Sequence, residues 1–174
     1  MRKMEITIAE TNELTEGDIT KINRLKNQHW EHELDEHMRW FKENIKSDDW
    51  HIMIQEEERI LAYLNLINIC VTINKLPYNM FGIGNVCVDR NAEHSGIGMI
   101  IMSVANAFIK QNKTCGLLLC HDRTKEFYKK TGWKQVDVSD ALIGNNKFDL
   151  CIMAYDPYSI ICDEINTLII DRDF

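Results

Sequence analysis

The chain has 174 residues and 20.4 kDa, with a formal charge of −7, 45% hydrophobic and 27% charged residues. That is about one domain's worth of chain, large enough to bury a core without staples and too apolar for wholesale disorder. With two prolines and eight glycines it is neither collagen-like nor low in complexity.

Residues 4–8 alternate apolar and polar side chains, the period of a short strand. Thr15 and Asp18 form a capping box in its acidic variant, and Ile19, Ile22 and Leu25 continue as a helix. Leu34, Met38, Phe41 and Ile45 recur at helical spacing, a second amphipathic helix. Residues 50–55 and 60–73 read as strands around the polar turn Glu56-Glu57-Glu58, the second too long to stay flat unless bent. Leu76-Pro77-Tyr78-Asn79 reads as a turn, because proline fixes φ and asparagine tolerates turn geometry. Residues 80–88 follow as a strand. Residues 99–109 are a helix, apolar nearly all round and therefore expected to be well buried. Residues 117–120 are a buried strand, and 124–130 a helix ended by Gly132. Residues 148–155 and 168–170 complete the strands. The order predicts an α/β fold, an α+β mixed sheet with helices on both faces. No repeat or linker interrupts it, so we expect one domain over 1–174, with 156–174 as its C-terminal extension.

No apolar run reaches the roughly 18 residues of a membrane helix. The start, Met1-Arg2-Lys3-Met4-Glu5, lacks the apolar stretch of a signal peptide. We expect a cytoplasmic protein with no membrane partner. Six cysteines, Cys70, Cys87, Cys115, Cys120, Cys151 and Cys162, include no C-x-x-C pair and sit mostly in apolar runs. We read them as small, buried, reduced thiols. Charge is uneven: residues 110–135 carry a net +5 and residues 136–174 a net −6. One basic island on an acidic chain argues against nucleic acid as a partner. It suits a small polyanion, or it is a solvated helix face.

The stretch from Val86 to Met99 is the most informative. A strand through Val86, Cys87 and Val88 leads into Glu93-His94-Ser95-Gly96-Ile97-Gly98, which opens a helix at Met99. The first N–H groups of a helix lack partners and carry its positive dipole end, and glycines let a diphosphate approach the backbone. A dinucleotide fingerprint would need a third glycine where Ile101 stands, and no Gly-Lys-Ser/Thr is present. A helix start without a ligand is the alternative. In the basic island, Phe127-Tyr128-Lys129-Lys130-Thr131-Gly132-Trp133 places Lys125 and Lys129 on one side of a helix. A tyrosine there can donate a proton to a departing thiolate, or simply pack.

Together the two stretches, 30 residues apart from Gly98 to Tyr128, resemble the GNAT superfamily of acyl-CoA-dependent N-acyltransferases. The resemblance covers about 150 residues and implies the GNAT fold and acetyl-CoA as cosubstrate, with no metal. It implies that the backbone of Val86, Cys87 and Val88 pairs with the pantetheine arm. The N–H groups of His94, Ser95, Gly96, Ile97, Gly98 and Met99 would hold the pyrophosphate. Tyr128 would be the general acid, with Lys130 and Lys125 facing the nucleotide phosphates. The sequence departs from the family pattern in two places in this region: Glu93 stands where Arg or Gln is usual, and His121 where Asn is frequent. A carboxylate beside a diphosphate repels it unless it pairs, with Arg90 or His94 as candidates. The glutamate that some members carry on the strand before the loop corresponds to Gly82.

The resemblance further implies direct transfer to a primary amine of a small, cationic molecule. A lysine-like amine is only about 0.04% neutral at pH 7, a deficit of about 4.6 kcal/mol that a nearby base must meet. The acceptor residues expected are Trp30 and Glu31, within the His29–His37 segment, with Asn85 to orient a water and Phe174 from the tail. Trp40 and Trp50 read as packing. His32-Glu33 with His37 lacks the H-E-x-x-H spacing, so no metal is expected there. The acidic tail faintly resembles aminoglycoside N-acetyltransferases, which makes an aminoglycoside the second substrate class. Two competing readings are a GNAT-fold module that binds acyl-CoA weakly and serves as a sensor or partner domain, and a nucleotide-dependent oxidoreductase. A homodimer is compatible with the family.

Overall fold

The computed structural model describes residues 3–161 and 164–174. The chain forms two compact units, one running through Ile67 and resuming over Gly84–Ala105, the other made of Asn68–Ile83 and Asn106–Phe174.

In the first unit β1 (Met4–Glu10) pairs antiparallel with β2 (Trp50–Glu56), which pairs antiparallel with β3 (Arg59–Ile73). The β2–β3 register shifts between Ile54 and Gln55. The unpaired residue is Leu61, so the bulge lies in β3 itself and bends the long strand whose length required it. α1 (Glu16–Asn27) opens on the expected capping box: Thr15 Oγ1 accepts from the Asp18 N–H, and the Asp18 carboxylate accepts from the Thr15 N–H at 3.0 Å. α2 (Leu34–Asn44) follows. Ile22 and Leu25 of α1 pack on Met53, Ile60, Tyr63 and Cys87, with Leu14 beside them.

A polar cluster lies in this core. His51 is sandwiched between the rings of Phe41 and Tyr63, at 5.5 and 5.9 Å. Thr11 gives its hydroxyl proton to the Asp49 carbonyl at 3.1 Å. His51 Nε2, 2.8 Å from the same Thr11 oxygen, must then donate, and Nδ1 accepts from the Tyr63 hydroxyl at 2.8 Å. Burial, reinforced by the Lys26 charge, pushes the His51 pKa down to about 4, so this ring is neutral at pH 7.

The second unit holds the far end of β3 and the first part of β4 (Leu76–Val88). It also holds β5 (Gly116–Cys120), β6 (Lys134–Val136), β7 (Val138–Ile143), β8 (Asn146–Lys147), β9 (Cys151–Tyr155) and β10 (Ile165–Ile170). The strand order is β6-β9-β5-β4-β3-β10-β7-β8. β4–β5 and β7–β10 are parallel, while β5–β9, β6–β9, β3–β10 and β7–β8 are antiparallel. With α3 (Ile97–Gln111), which contributes to both units, and α4 (Lys125–Lys130), the result is a mixed sheet flanked by helices. The expected fold class holds.

α4 ends in a Schellman arrangement: the Gly132 N–H donates to the Lys129 carbonyl and the Trp133 N–H to that of Tyr128. Trp133 is fully buried; its Nε1 donates to Asn106 Oδ1 at 2.9 Å, and Asn106 Nδ2 donates to the Thr131 carbonyl at 2.7 Å. A Cβ on Gly116 would stand 2.8 Å from the Trp133 ring and 2.7 Å from Ile109.

Four expectations are corrected. The turn before β4 is Asn74-Lys75, both at left-handed φ (47° and 72°), while Pro77, Tyr78 and Asn79 belong to β4. Proline is tolerated near a strand's start, and two left-handed residues match the twist of a tight hairpin. α3 buries only one face (Ile97, Ile101, Met102, Ala105, Ile109), leaving Met99 and Ile100 37% and 45% exposed. The strand expected from 148 begins at Cys151 and is preceded by β6, β7 and β8, short and largely exposed strands without a buried alternation to announce them. Of the cysteines, Cys87, Cys115 and Cys120 are buried free thiols, Cys70 and Cys151 are half-buried, and Cys162 lies outside the described residues. Among the described residues, no helix is long and apolar enough to cross a membrane.

Candidate functional site

β4 runs directly into the glycine loop, and a buried carboxylate anchors the junction. Asp89, 3% exposed, accepts from Arg59 through two nitrogens, from Gln28 Nε2 at 3.2 Å and from the Asn91 N–H at 2.9 Å. Burial pushes its pKa up, but these donors together hold it below the ordinary carboxylate value. Gln28 Oε1 also accepts from the Arg90 N–H at 3.0 Å, so the C-cap residue of α1 holds both Asp89 and Arg90. A 3₁₀ turn over Arg90–Ala92 follows, then His94 and Gly96 at φ 61° and 87°. A Cβ on Gly96 would meet nothing within 4 Å, so glycine is required there by conformation and not by crowding.

α3 starts at Ile97, as the loop reading requires. Two of the expected donors are engaged: the Met99 N–H bonds to the Gly96 carbonyl at 3.0 Å, and the Ser95 N–H points to the Ala92 carbonyl at 3.4 Å. Among the described residues the N–H groups of His94, Gly96, Ile97 and Gly98 have no protein acceptor. Glu93 is exposed, and among the described residues it forms no ion pair with Arg90 or His94. On β4, Cys87 is buried, with its thiol pushed up to about 12 by burial. Val86 and Val88 are half-buried, and the Val88 carbonyl is 2.6 Å from His29 Nε2. Asn85 takes a left-handed φ of 52°, two residues after the parallel register with β5 ends at Ile83.

A pocket of about 450 Å³ opens in the same unit, lined by Lys26, Trp30, His32, Glu36, His37, Arg39, Trp40, Glu43 and Asn85. Trp30 and Asn85 line it as expected, and Glu31, exposed, does not. Trp40, read as packing, is a wall of the pocket and lies under the Lys26 ammonium, 4.4 Å from its ring centroid. His37 Nε2 is 2.9 Å from the Trp30 carbonyl, which fixes the entry to α2. Burial lowers the His37 pKa. His32 pairs with Glu36 at 3.4 Å. Asn85 Nδ2 donates to Asn65 Oδ1 at 3.3 Å, and Asn65 Nδ2, buried, has no partner among the described residues. Buried Asn23 likewise leaves its Oδ1 unpaired.

In the second unit Tyr128 is half-buried on α4, edge-on to Phe127 at 5.2 Å. Lys125 is held by Asp122 at 2.7 Å, whereas Lys130 is exposed. His121 is exposed and accepts from the Thr124 N–H through its carbonyl, while its neighbour Cys120 is buried. Phe174 lies over Gly82: a Cβ there would stand 2.7 Å from the ring. The space beside Gly82 is therefore filled by an aromatic ring. Lys26, Trp40, Asp89 and Arg59 escaped the sequence reading. The signal for Lys26 was present: it follows Ile22 by four residues and so sits on the buried stripe of α1.

No curated protein matches the sequence. Several solved structures share the fold. The GNAT family N-acetyltransferase YhbS of Escherichia coli, solved in complex with CoA, matches with TM-score 0.69 at 10% identity, covering 97% of this chain and 90% of that one. An acyl-CoA N-acyltransferase from Pseudomonas aeruginosa matches with TM-score 0.67 at 17% identity, over 87% and 99% of the two chains. An aminoglycoside 6'-N-acetyltransferase complexed with coenzyme A matches with TM-score 0.59 at 12% identity, over 86% and 96%. The family model described as acetyltransferase (GNAT) domain matches residues 10–136. The chain therefore belongs to the GNAT acetyltransferase family and is an acyltransferase.

Proposed function

We propose that the protein is an acetyl-CoA-dependent N-acetyltransferase, one domain over the whole chain, that transfers acetyl directly to a primary amine of a small molecule. The observation that carries this reading is the loop itself: four N–H groups without acceptors among the described residues, at the start of a 15-residue helix, ready for a diphosphate. The N–H groups of His94, Gly96, Ile97 and Gly98 hold the pyrophosphate, and the edge of β4 at Val86–Val88 guides the pantetheine. The Val88 carbonyl shares that task with His29. Lys130 reaches the nucleotide phosphates; Lys125, paired with Asp122, contributes through the pair's position. The acceptor occupies the pocket walled by Trp30 and Trp40, where Glu36 and Glu43 favour its ammonium end and Asn85 orients a water.

As the amine nitrogen bonds to the acetyl carbon, the C–S bond breaks. The Tyr128 hydroxyl gives its proton to the departing sulfur, and the nitrogen loses one proton to water. With Phe174 over Gly82, no carboxylate from that position takes the amine proton, so acetylation is expected to rise with pH as the free amine grows. The exposed Met4, Ile6 and Ile8 of β1 are what a homodimer would cover, which sedimentation at two concentrations would read.

Titration calorimetry with acetyl-CoA at moderate salt tests the reading. A micromolar dissociation constant, about −8 kcal/mol, together with CoA release on adding amines, supports it. No heat up to millimolar ligand points instead to a module that has lost the cosubstrate. Tyr128→Phe should lower kcat far more than it weakens acetyl-CoA; an unchanged kcat removes the acid role.

A further inference from the structure

Lys26 is out of place for a pocket that serves only cations. It leaves α1 on the Ile22 side, is 4% exposed, and holds its ammonium over the Trp40 ring. Among the described residues it has no carboxylate partner and no hydrogen-bond acceptor. Unpaired buried charge is costly, so such a group normally has a partner. The titratable groups around it supply none. The Cys87 thiol is kept neutral by burial, and His51 and His37 are pushed down by burial and further by the Lys26 charge. Burial brings Lys26 itself down to about 8, which leaves it largely protonated at pH 7. Arg39 lines the same space, with no ion pair among the described residues. Behind Asn85, the buried Asn65 Nδ2 is a further donor unused among the described residues. Glu36 and Glu43 line the pocket as well and supply its negative pole.

We propose that the pocket takes an acceptor bearing a carboxylate beside its amine, an amino-acid-like zwitterion, and that Lys26 is the residue that binds the carboxylate. This rests on reading the pocket as the acceptor site. The carboxylate is the counter-ion that the fold withholds from Lys26, and the tryptophans supply walls for the acceptor's apolar body. A polycationic sugar would bring further positive charge against Lys26 and Arg39.

The test separates binding from turnover. The protein, without acetyl-CoA, is labelled with limiting acetic anhydride, and Lys26 modification is read by peptide mass spectrometry. Labelling is repeated with millimolar N-acetyl-L-amino acids, which mimic products and cannot react, and with their carboxamides. At least one acid should slow Lys26 labelling about tenfold, its amide should not, and the exposed Lys130 should label at an unchanged rate. No slowing by any acid, or equal slowing by the amides, overturns the proposal. In the second arm CoA release is followed with free L-amino acids, their amides and kanamycin. Lys26→Met should raise KM for the acids and erase their advantage over the amides, with acetyl-CoA affinity unchanged, and Lys26→Arg should restore part of it. Turnover of kanamycin or the amides alone overturns the carboxylate while leaving the acyltransferase reading intact. Protection of Lys26 in a protein that binds no acetyl-CoA would do the reverse.

Discussion

Removing the Lys26 charge should make the protein more stable. Lys26→Met keeps an unbranched apolar side chain in the same space and deletes the buried ammonium. The fall from the ordinary 10.5 to about 8 is worth about 3 kcal/mol at pH 7, carried as a penalty by the folded state. Part of this is offset by the contact with Trp40, so a gain of about 2 kcal/mol is expected. For a chain of this size that is about 4–8 °C in Tm. The pH dependence gives the sharper signature. Between about 8 and 10.5 the unfolded chain still holds the lysine proton and the folded chain has lost it, so wild-type stability rises with pH across that window. The variant lacks this rise. Urea unfolding at pH 7, 8, 9 and 10 measures both. A variant less stable than wild type at pH 7, or equal slopes above pH 8, would refute the claim that Lys26 is an uncompensated buried charge.

Three further outcomes are expected. His51, held neutral with a pKa of about 4, contributes about 3 kcal/mol that is fully present above pH 6.5 and lost as pH falls toward 4. Urea midpoints should drop in that window for wild type and much less for His51→Phe. Gly82→Ala puts a methyl group against the Phe174 ring and should cost about 1–3 kcal/mol, with part of the loss recovered in Gly82→Ala/Phe174→Ala. Additive losses in calorimetric unfolding would show that the ring moves aside freely. Glu93→Gln removes an exposed carboxylate from beside the helix start and should tighten acetyl-CoA about two- to fivefold at low salt, less at high salt. Unchanged or weaker binding at low salt would mean that the glutamate does not face the phosphates.

The parts of the fold that sequence could reveal were those with strong local signals. The capping box at Thr15 and the glycine after α4 satisfy backbone groups near in sequence, the stripe of α2 repeats at helical spacing, and each lies where expected. Strands β6, β7 and β8 were missed because their side chains are largely exposed, which leaves no period to read; β6 and β7 also pair with the distant β9 and β10, while β7 and β8 form a hairpin over Gly144-Asn145. The hairpin turn was misplaced because Pro77 is a stronger turn signal than Asn74-Lys75, yet only left-handed residues suit the tight connection. The loop that opens α3 and the short helix that carries Tyr128 were legible as a linear pattern. The pocket was not, since Lys26, Trp40 and Asn85 come from three separate elements. The placement of Phe174 over Gly82 is a contact between residues 92 positions apart, invisible to any local window.

The junction of Gly116, Asn106 and Trp133 bears on how this protein can change over generations. α4 is six residues long, too short to be helical by itself. Its end hangs from Trp133, whose N–H reaches back to Tyr128 and whose ring fills the space a side chain at 116 would need. Drift at 106 or 116 is therefore felt at Tyr128 without touching it. In a selection for turnover, damage from Gly116→Ala should be suppressed by smaller residues at 133 more readily than by any change at 128. Lineages that alter the setting of Tyr128 should carry paired exchanges at 116 and 133.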